Sequence, residues 1–193
     1  MTVGGPAPPE HSEDLPAPGT ALVVCVPAAD AVVGRTRRRL DPAAAQGLDA
    51  HVTVLYPFLP LPAVSPAVLS RLGGLVGSTT AFEFALTELR WFDDRVLYIA
   101  PDPSEPFAEL TARLWETFPD CPPYGGEFDE TIPHLTVGEG AWPPRMRRAA
   151  RRLRRHLPVR AVADEVRLMA PGPGGRWDVR HRFALLPPPR PSR

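Results

Sequence analysis

Lysine is missing from this 193-residue sequence, and cysteine nearly so, with only Cys25 and Cys121. Two cysteines cannot form a disulfide framework, which excludes the small stapled secreted domains. Cys25, inside the apolar run ALVVCVP (21–27), reads as a small buried hydrophobe. No apolar run approaches the ~18 residues that a membrane span requires. The opening MTVGGPAPPEHSEDLPAPG lacks the basic start and apolar core of a secretory signal. Residues 1–19 are therefore expected to be a disordered leader, 188–193 a disordered tail, and 20–187 one folded domain. The expected setting is cytoplasmic, with no membrane contact and no obligate protein partner.

With no lysine, all 22 positive charges are arginine and balance 22 acids. They are segregated: residues 143–193 hold fourteen Arg and three acids, whereas residues 1–142 hold eight Arg and nineteen acids. An Arg-, Ala- and Pro-rich composition reflects coding background as much as function, so position along the chain carries more weight than the total. Hydrophobic content of 44% with 23% charged residues fits an ordinary folded domain.

One pattern occurs twice. HVTV begins at 51 and HLTV at 134. On a strand, alternate side chains share a face, so His51 and Thr53 point one way and Val52 and Val54 the other. His134 and Thr136 repeat the arrangement against Leu135 and Val137. Chance supplies roughly 0.05 such quartets in a chain of this composition. The surroundings repeat as well. After His51 come a helix at 65–78 and strands at 81–92 and 95–101. After His134 come a helix at 142–157 and a last strand pair, VRAVADEVRLMAP with RWDVRHRFALLP. This element order predicts two similar α+β lobes, each offering one His strand to a shared cleft.

Two imidazoles facing across a cleft suit proton transfer at both ends of an in-line displacement at phosphorus. One takes a proton from the attacking oxygen and the other gives one to the leaving oxygen. The threonine hydroxyls are placed to donate to nonbridging phosphate oxygens. Such chemistry requires no metal, and two histidines without a third ligand do not make a zinc site. GPGG (172–175) lacks the following helix and lysine of a phosphate-cradling loop.

HVTVLYPF (51–58) and PPYGGEFDETIPHLTV (122–137) carry a resemblance to the 2H phosphoesterase superfamily, the LigT-like group that includes 2′-5′ RNA ligases and cyclic phosphodiesterases. The resemblance spans about residues 20–187 and points to a divergent bacterial branch. It implies a bilobal α+β fold of antiparallel sheets and helices around a central cleft. It further implies His51 and His134 as the catalytic acid/base pair, Thr53 and Thr136 as phosphate binders, and no cofactor. The implied activity is hydrolysis of a 2′,3′-cyclic phosphate or 2′-5′ phosphodiester, on an RNA end or small nucleotide. The arginine that commonly follows the second motif in the RNA ligase branch is absent: Gly138, Glu139 and Gly140 stand there, and the next arginine is Arg145.

Tyr124, on the loop before the second motif, is a candidate to line the cleft. Tyr56 and Phe58 read as core before base-stacking residues, and His11, His156 and His181 as incidental. Arg148, Arg152 and Arg155, on the basic helix, read as a solvated face or a nucleic-acid contact. Two other functions fit the same sequence: a nucleotide or RNA-end binding module without turnover, and an interaction protein acting through the basic helix.

Overall fold

The computed structural model describes residues 19–128 and 130–188; the expected leader and tail lie almost wholly outside the described residues. The chain runs β1 (Ala21–Cys25), α1 (Pro27–Leu40), α2 (Pro42–Ala45), β2 (His51–Leu55), α3 (Pro66–Gly77), β3 (Phe82–Phe92) and β4 (Val96–Asp102). It continues with α4 (Glu105–Thr117), β5 (Leu135–Glu139), α5 (Pro143–Leu153), β6 (Val159–Ala163), β7 (Glu165–Pro171) and β8 (Trp177–Ala184).

Local chemistry explains most of these boundaries. At α3, Ser65 Oγ accepts from the Val68 N–H at 3.3 Å, and Pro66 supplies a preset first turn. Asp93 and Asp94 turn β3 into β4 with φ of 46° and 56°, a left-handed conformation that aspartate tolerates. Met146, Ala149, Ala150 and Leu153 form the buried stripe of α5, leaving its arginines in solvent.

Two four-stranded antiparallel sheets result, ordered β2-β1-β7-β8 and β5-β4-β3-β6. Each begins with the edge strand of a His motif. The sheets are not independent: α1, which follows β1, packs on β5 of the other sheet, α4 packs on β2, and β2 touches β5. One hydrophobic core accordingly takes residues from both sheets, including Leu22, Val52, Leu97 and Leu135. This is an α+β fold of two pseudo-symmetric lobes.

The expected last strand pair requires correction. VRAVA and EVRLMAP are two strands: β6 pairs with β3, whereas β7 pairs with β1 and β8. The alternation explains the break. Val159 and Ala163 are buried before Asp164, and Val166 and Leu168 after it, so the apolar parity inverts. One continuous strand cannot keep both sets on one face. The equal spacing of elements after the two His motifs is thus only partly structural, because β3 and β6 sit side by side in the same sheet.

Arg37, within the basic run Arg37-Arg38-Arg39, is 1% exposed. Its Nη2 donates to Asp41 Oδ2 at 2.7 Å, its Nε to the Thr136 carbonyl at 2.9 Å, and its Nη1 to the Leu48 carbonyl at 3.2 Å. Asp41 Oδ1 accepts from Ala43 N–H at 3.0 Å and so caps α2. One guanidinium thereby ties the second motif to the segment leading into the first. Close packing nearby also accounts for Gly138: a Cβ there would lie 2.9 Å from the Leu40 Cβ and 3.3 Å from Met146 Sδ. Neither this position nor Gly140, with φ of +63°, accommodates an arginine readily.

Arg37→Leu leaves Asp41 buried without its cation and should destabilise the fold by about 3–5 kcal/mol, read as a lowered urea midpoint with unchanged m-value. A midpoint equal to the native one would show that the pair contributes nothing.

Candidate active site

In β2, His51 and Thr53 lie on the face opposite Val52 and Val54, which are at most 1% exposed. His134 sits one residue before β5, not within it as expected. Thr136 is half-buried between the fully buried Leu135 and Val137. The sheet order and the β2–β5 contact bring the two motifs to one seam. Charge on His134 is felt at His51.

The two histidines are held in the same way. His51 Nδ1 lies 2.7 Å from the Asp49 carbonyl, and His134 Nδ1 lies 2.7 Å from the Ile132 carbonyl, in each case two residues upstream. A carbonyl only accepts, so Nδ1 carries the hydrogen and Nε2 keeps the lone pair. Both rings are thus oriented, with Nε2 left to exchange a proton.

Their electrostatic settings differ in degree. Burial, with the Arg37 guanidinium and His134 adding, pushes His51 down to about 3 against the opposing carbonyl bond. Burial also lowers His134, again opposed by its carbonyl bond. Both imidazoles are neutral near pH 7 in the unliganded protein. An anion between them would favour protonation of one.

Tyr124 lies where the sequence suggested, against the second motif. Its ring is nearly parallel to that of His134, at 20° with centroids 6.3 Å apart, and its N–H donates to the Tyr56 carbonyl at 2.6 Å. Burial raises its phenol to about 12, so it remains a donor at neutral pH. Phe92 and Tyr98 meet the His134 ring edge-on at 5.1 and 5.4 Å. Phe58 is core, as read, but Tyr56 is exposed and contacts Trp177 edge-on. Cys25 is half-buried and pairs in register with His51, placing it on the His face and outside the main core.

The sequence holds a second duplicated motif. Glu88-Leu89-Arg90 and Glu165-Val166-Arg167 occupy equivalent strands, β3 and β7. Across one sheet the register runs Thr53, Val23, Arg167; across the other it runs Thr136, Tyr98, Arg90. Directly paired residues share a face, so each Thr row carries an arginine two strands away. Arg167 bonds Glu165 at 2.5 Å and Arg90 bonds Glu88 at 2.9 Å. The repeat of Glu-apolar-Arg was the available signal.

With this geometry in hand, the comparisons with known proteins are specific. The family model of the 2′-5′ RNA ligase superfamily matches residues 25–174. No curated protein matches the sequence. The fold is similar to that of Escherichia coli LigT complexed with 3′-AMP, at 19% identity and TM-score 0.54, over 87% of this chain and 98% of that one. LigT complexed with NADP+ gives 19% identity and 0.55, over 88% and 99%. TT0787 of Thermus thermophilus gives 20% identity and 0.59, over 86% and 97%.

The buried neutral histidines set a pH dependence of stability. The unfolded chain binds protons near the ordinary value of ~6.5, whereas folded His51 does so only near 3. Stability is therefore full above ~6.5 and falls as pH drops through that window. Unfolding measured at pH 6.5 and 5 should show this loss, and His51→Gln should reduce it. An equal pH slope in that variant would contradict the assigned cause.

Proposed function

The chain belongs to the 2′-5′ RNA ligase superfamily, and on that premise we propose that it is a metal-independent phosphoesterase opening a 2′,3′-cyclic phosphate or cleaving a 2′-5′ phosphodiester. The observation that carries this reading is the pair of His-x-Thr motifs at one seam, each ring fixed by the same Nδ1–carbonyl bond.

In hydrolysis of the cyclic ester, water oxygen attacks phosphorus while one Nε2 takes its proton. The bond from phosphorus to a ribose oxygen breaks, and the other ring, protonated in the substrate complex, gives its proton to that oxygen. A phosphomonoester and a free ribose hydroxyl result. His51, held unprotonated by burial and by the permanent charge of Arg37, is the ring free to accept the proton. His134, less buried and without that opposition among its causes, is the ring more readily protonated beside a bound anion and so the one that supplies the proton. Thr53 and Thr136 donate to nonbridging oxygens, and Tyr124 covers the His134 side.

Arg90 and Arg167 offer positive charge on the Thr faces, where the family's arginine after the second motif is lacking. The nucleotides in the LigT complexes support a nucleotide or RNA end as the ligand. A binding module without turnover is the competing reading, favoured by that missing arginine.

With 2′,3′-cyclic nucleotides and 2′-5′ oligonucleotides as substrates, His51→Ala and His134→Ala should each lower kcat by about 10²–10⁴. Thr53→Val and Thr136→Val should each lower it by about 10²–10³. Saturable binding without product in the unmodified protein would establish the binding module instead. Unchanged turnover in both histidine variants would remove the mechanism. Arg90→Gln and Arg167→Gln should raise KM with kcat nearly unchanged; unaltered KM in both would exclude them from substrate binding.

A further inference from the structure

A cavity of about 910 Å³ lies between α1 and α5. Seven arginines line it: Arg35 and Arg39 from α1, the remaining five from α5 and the single 3-10 turn that continues it. No carboxylate lines it. Among the described residues none of the seven makes an ion pair, whereas Arg37, Arg90, Arg167, Arg180 and Arg182 all do. Arg152 Nη2 donates to Thr36 Oγ1 across the groove at 2.7 Å, so the walls are directly joined. Neighbouring uncompensated like charges along one groove repel one another wherever they lie within a Debye length of ~8–10 Å, and a multivalent anion relieves that repulsion.

We propose that this groove is a binding site for the phosphodiester backbone of a nucleic-acid strand, distinct from the histidine cleft. Size and shape favour a strand over a single nucleotide. Along α5 and the 3-10 turn that continues it, the lining positions 145, 148, 152 and 155 follow helical spacing on one face. At 1.5 Å per residue they extend about 15 Å, more than one phosphate can span. No aromatic side chain lines the groove, so it has no platform for stacking bases. Guanidinium groups alone recognise phosphates irrespective of sequence. The groove also gives the basic helix a shape that sequence did not show: Arg147 and Arg154, on the same segment, are outside it. The carboxylates of an acidic protein segment also accept guanidinium forks, but they lack the regular spacing of charge along a phosphodiester backbone that suits a row of guanidinium groups.

The test is fluorescence anisotropy with labelled 12-nucleotide RNA and DNA strands of one sequence, joined 3′-5′ and ending in free hydroxyls, so that neither is a substrate for the proposed cleft. Each is titrated at several salt concentrations, with poly-glutamate as competitor. Arg148→Gln/Arg152→Gln/Arg155→Gln should weaken strand binding at least tenfold and reduce the magnitude of the salt slope by about 2, near 0.7 for each lost phosphate contact. Arg35→Gln/Arg39→Gln, on the opposite wall, should weaken it in the same direction. Arg147→Gln/Arg154→Gln removes equal charge outside the groove and should have little effect. His51→Ala should bind as the unmodified protein does, which separates this site from the proposed catalysis. Comparable RNA and DNA affinity is expected of backbone recognition. Loss from the Arg147/Arg154 variant equal to that from Arg35/Arg39 would overturn the proposal, as would stronger binding of poly-glutamate than of either strand. Circular dichroism melting of each variant identifies any loss due to unfolding, and the opposite-wall pair keeps the test decisive if one variant fails to fold.

Discussion

The buried guanidinium of Arg37 is the constraint on which the seam depends. A fully withdrawn cation requires both a counter-ion and acceptors for its remaining protons. Asp41 supplies the charge, and the Thr136 and Leu48 carbonyls supply the acceptors. Those two carbonyls belong to different motifs' surroundings, one inside β5 and one on the approach to β2. Meeting the needs of a single side chain therefore fixes the distance between two segments far apart in sequence. Burial keeps His51 neutral and the same charge adds to that effect, which links the scaffold to the electrostatics of the candidate site.

Pseudo-symmetry extends further than the histidines. Each sheet places a His strand at its edge, an apolar or aromatic strand next, and a Glu-apolar-Arg strand third. Each imidazole is turned by a carbonyl two residues upstream. The copies then diverge: His51 lies near a buried cation, and His134 lies among Phe92, Tyr98 and Tyr124. Equivalent rings in unequal surroundings favour different protonation states on the two sides.

Charge segregation along the chain has a spatial counterpart. Arginines on the Thr faces are paired with glutamates two residues upstream, whereas no carboxylate lines the groove between α1 and α5. Two kinds of arginine therefore coexist, one held within the sheets and one left available at a helical groove.

Much of this was legible in sequence. Alternation exposed the His-x-Thr strands, helical signals exposed α3 and α5, and repetition exposed two lobes, because these are short-range consequences of backbone geometry. Strand partnership was not legible in the same way: only the inverted parity around Asp164 marked the crossing from one sheet to the other. The sequence by itself determined which residue types alternate, where helices begin, and that imidazole and hydroxyl recur together. Tertiary structure alone decided that Arg37 turns inward while Arg35 and Arg39 turn toward α5, and that Thr rows align with Arg90 and Arg167. Those outcomes depend on contacts between residues 99 and 116 positions apart and on strand pairings more distant still, which no local pattern encodes.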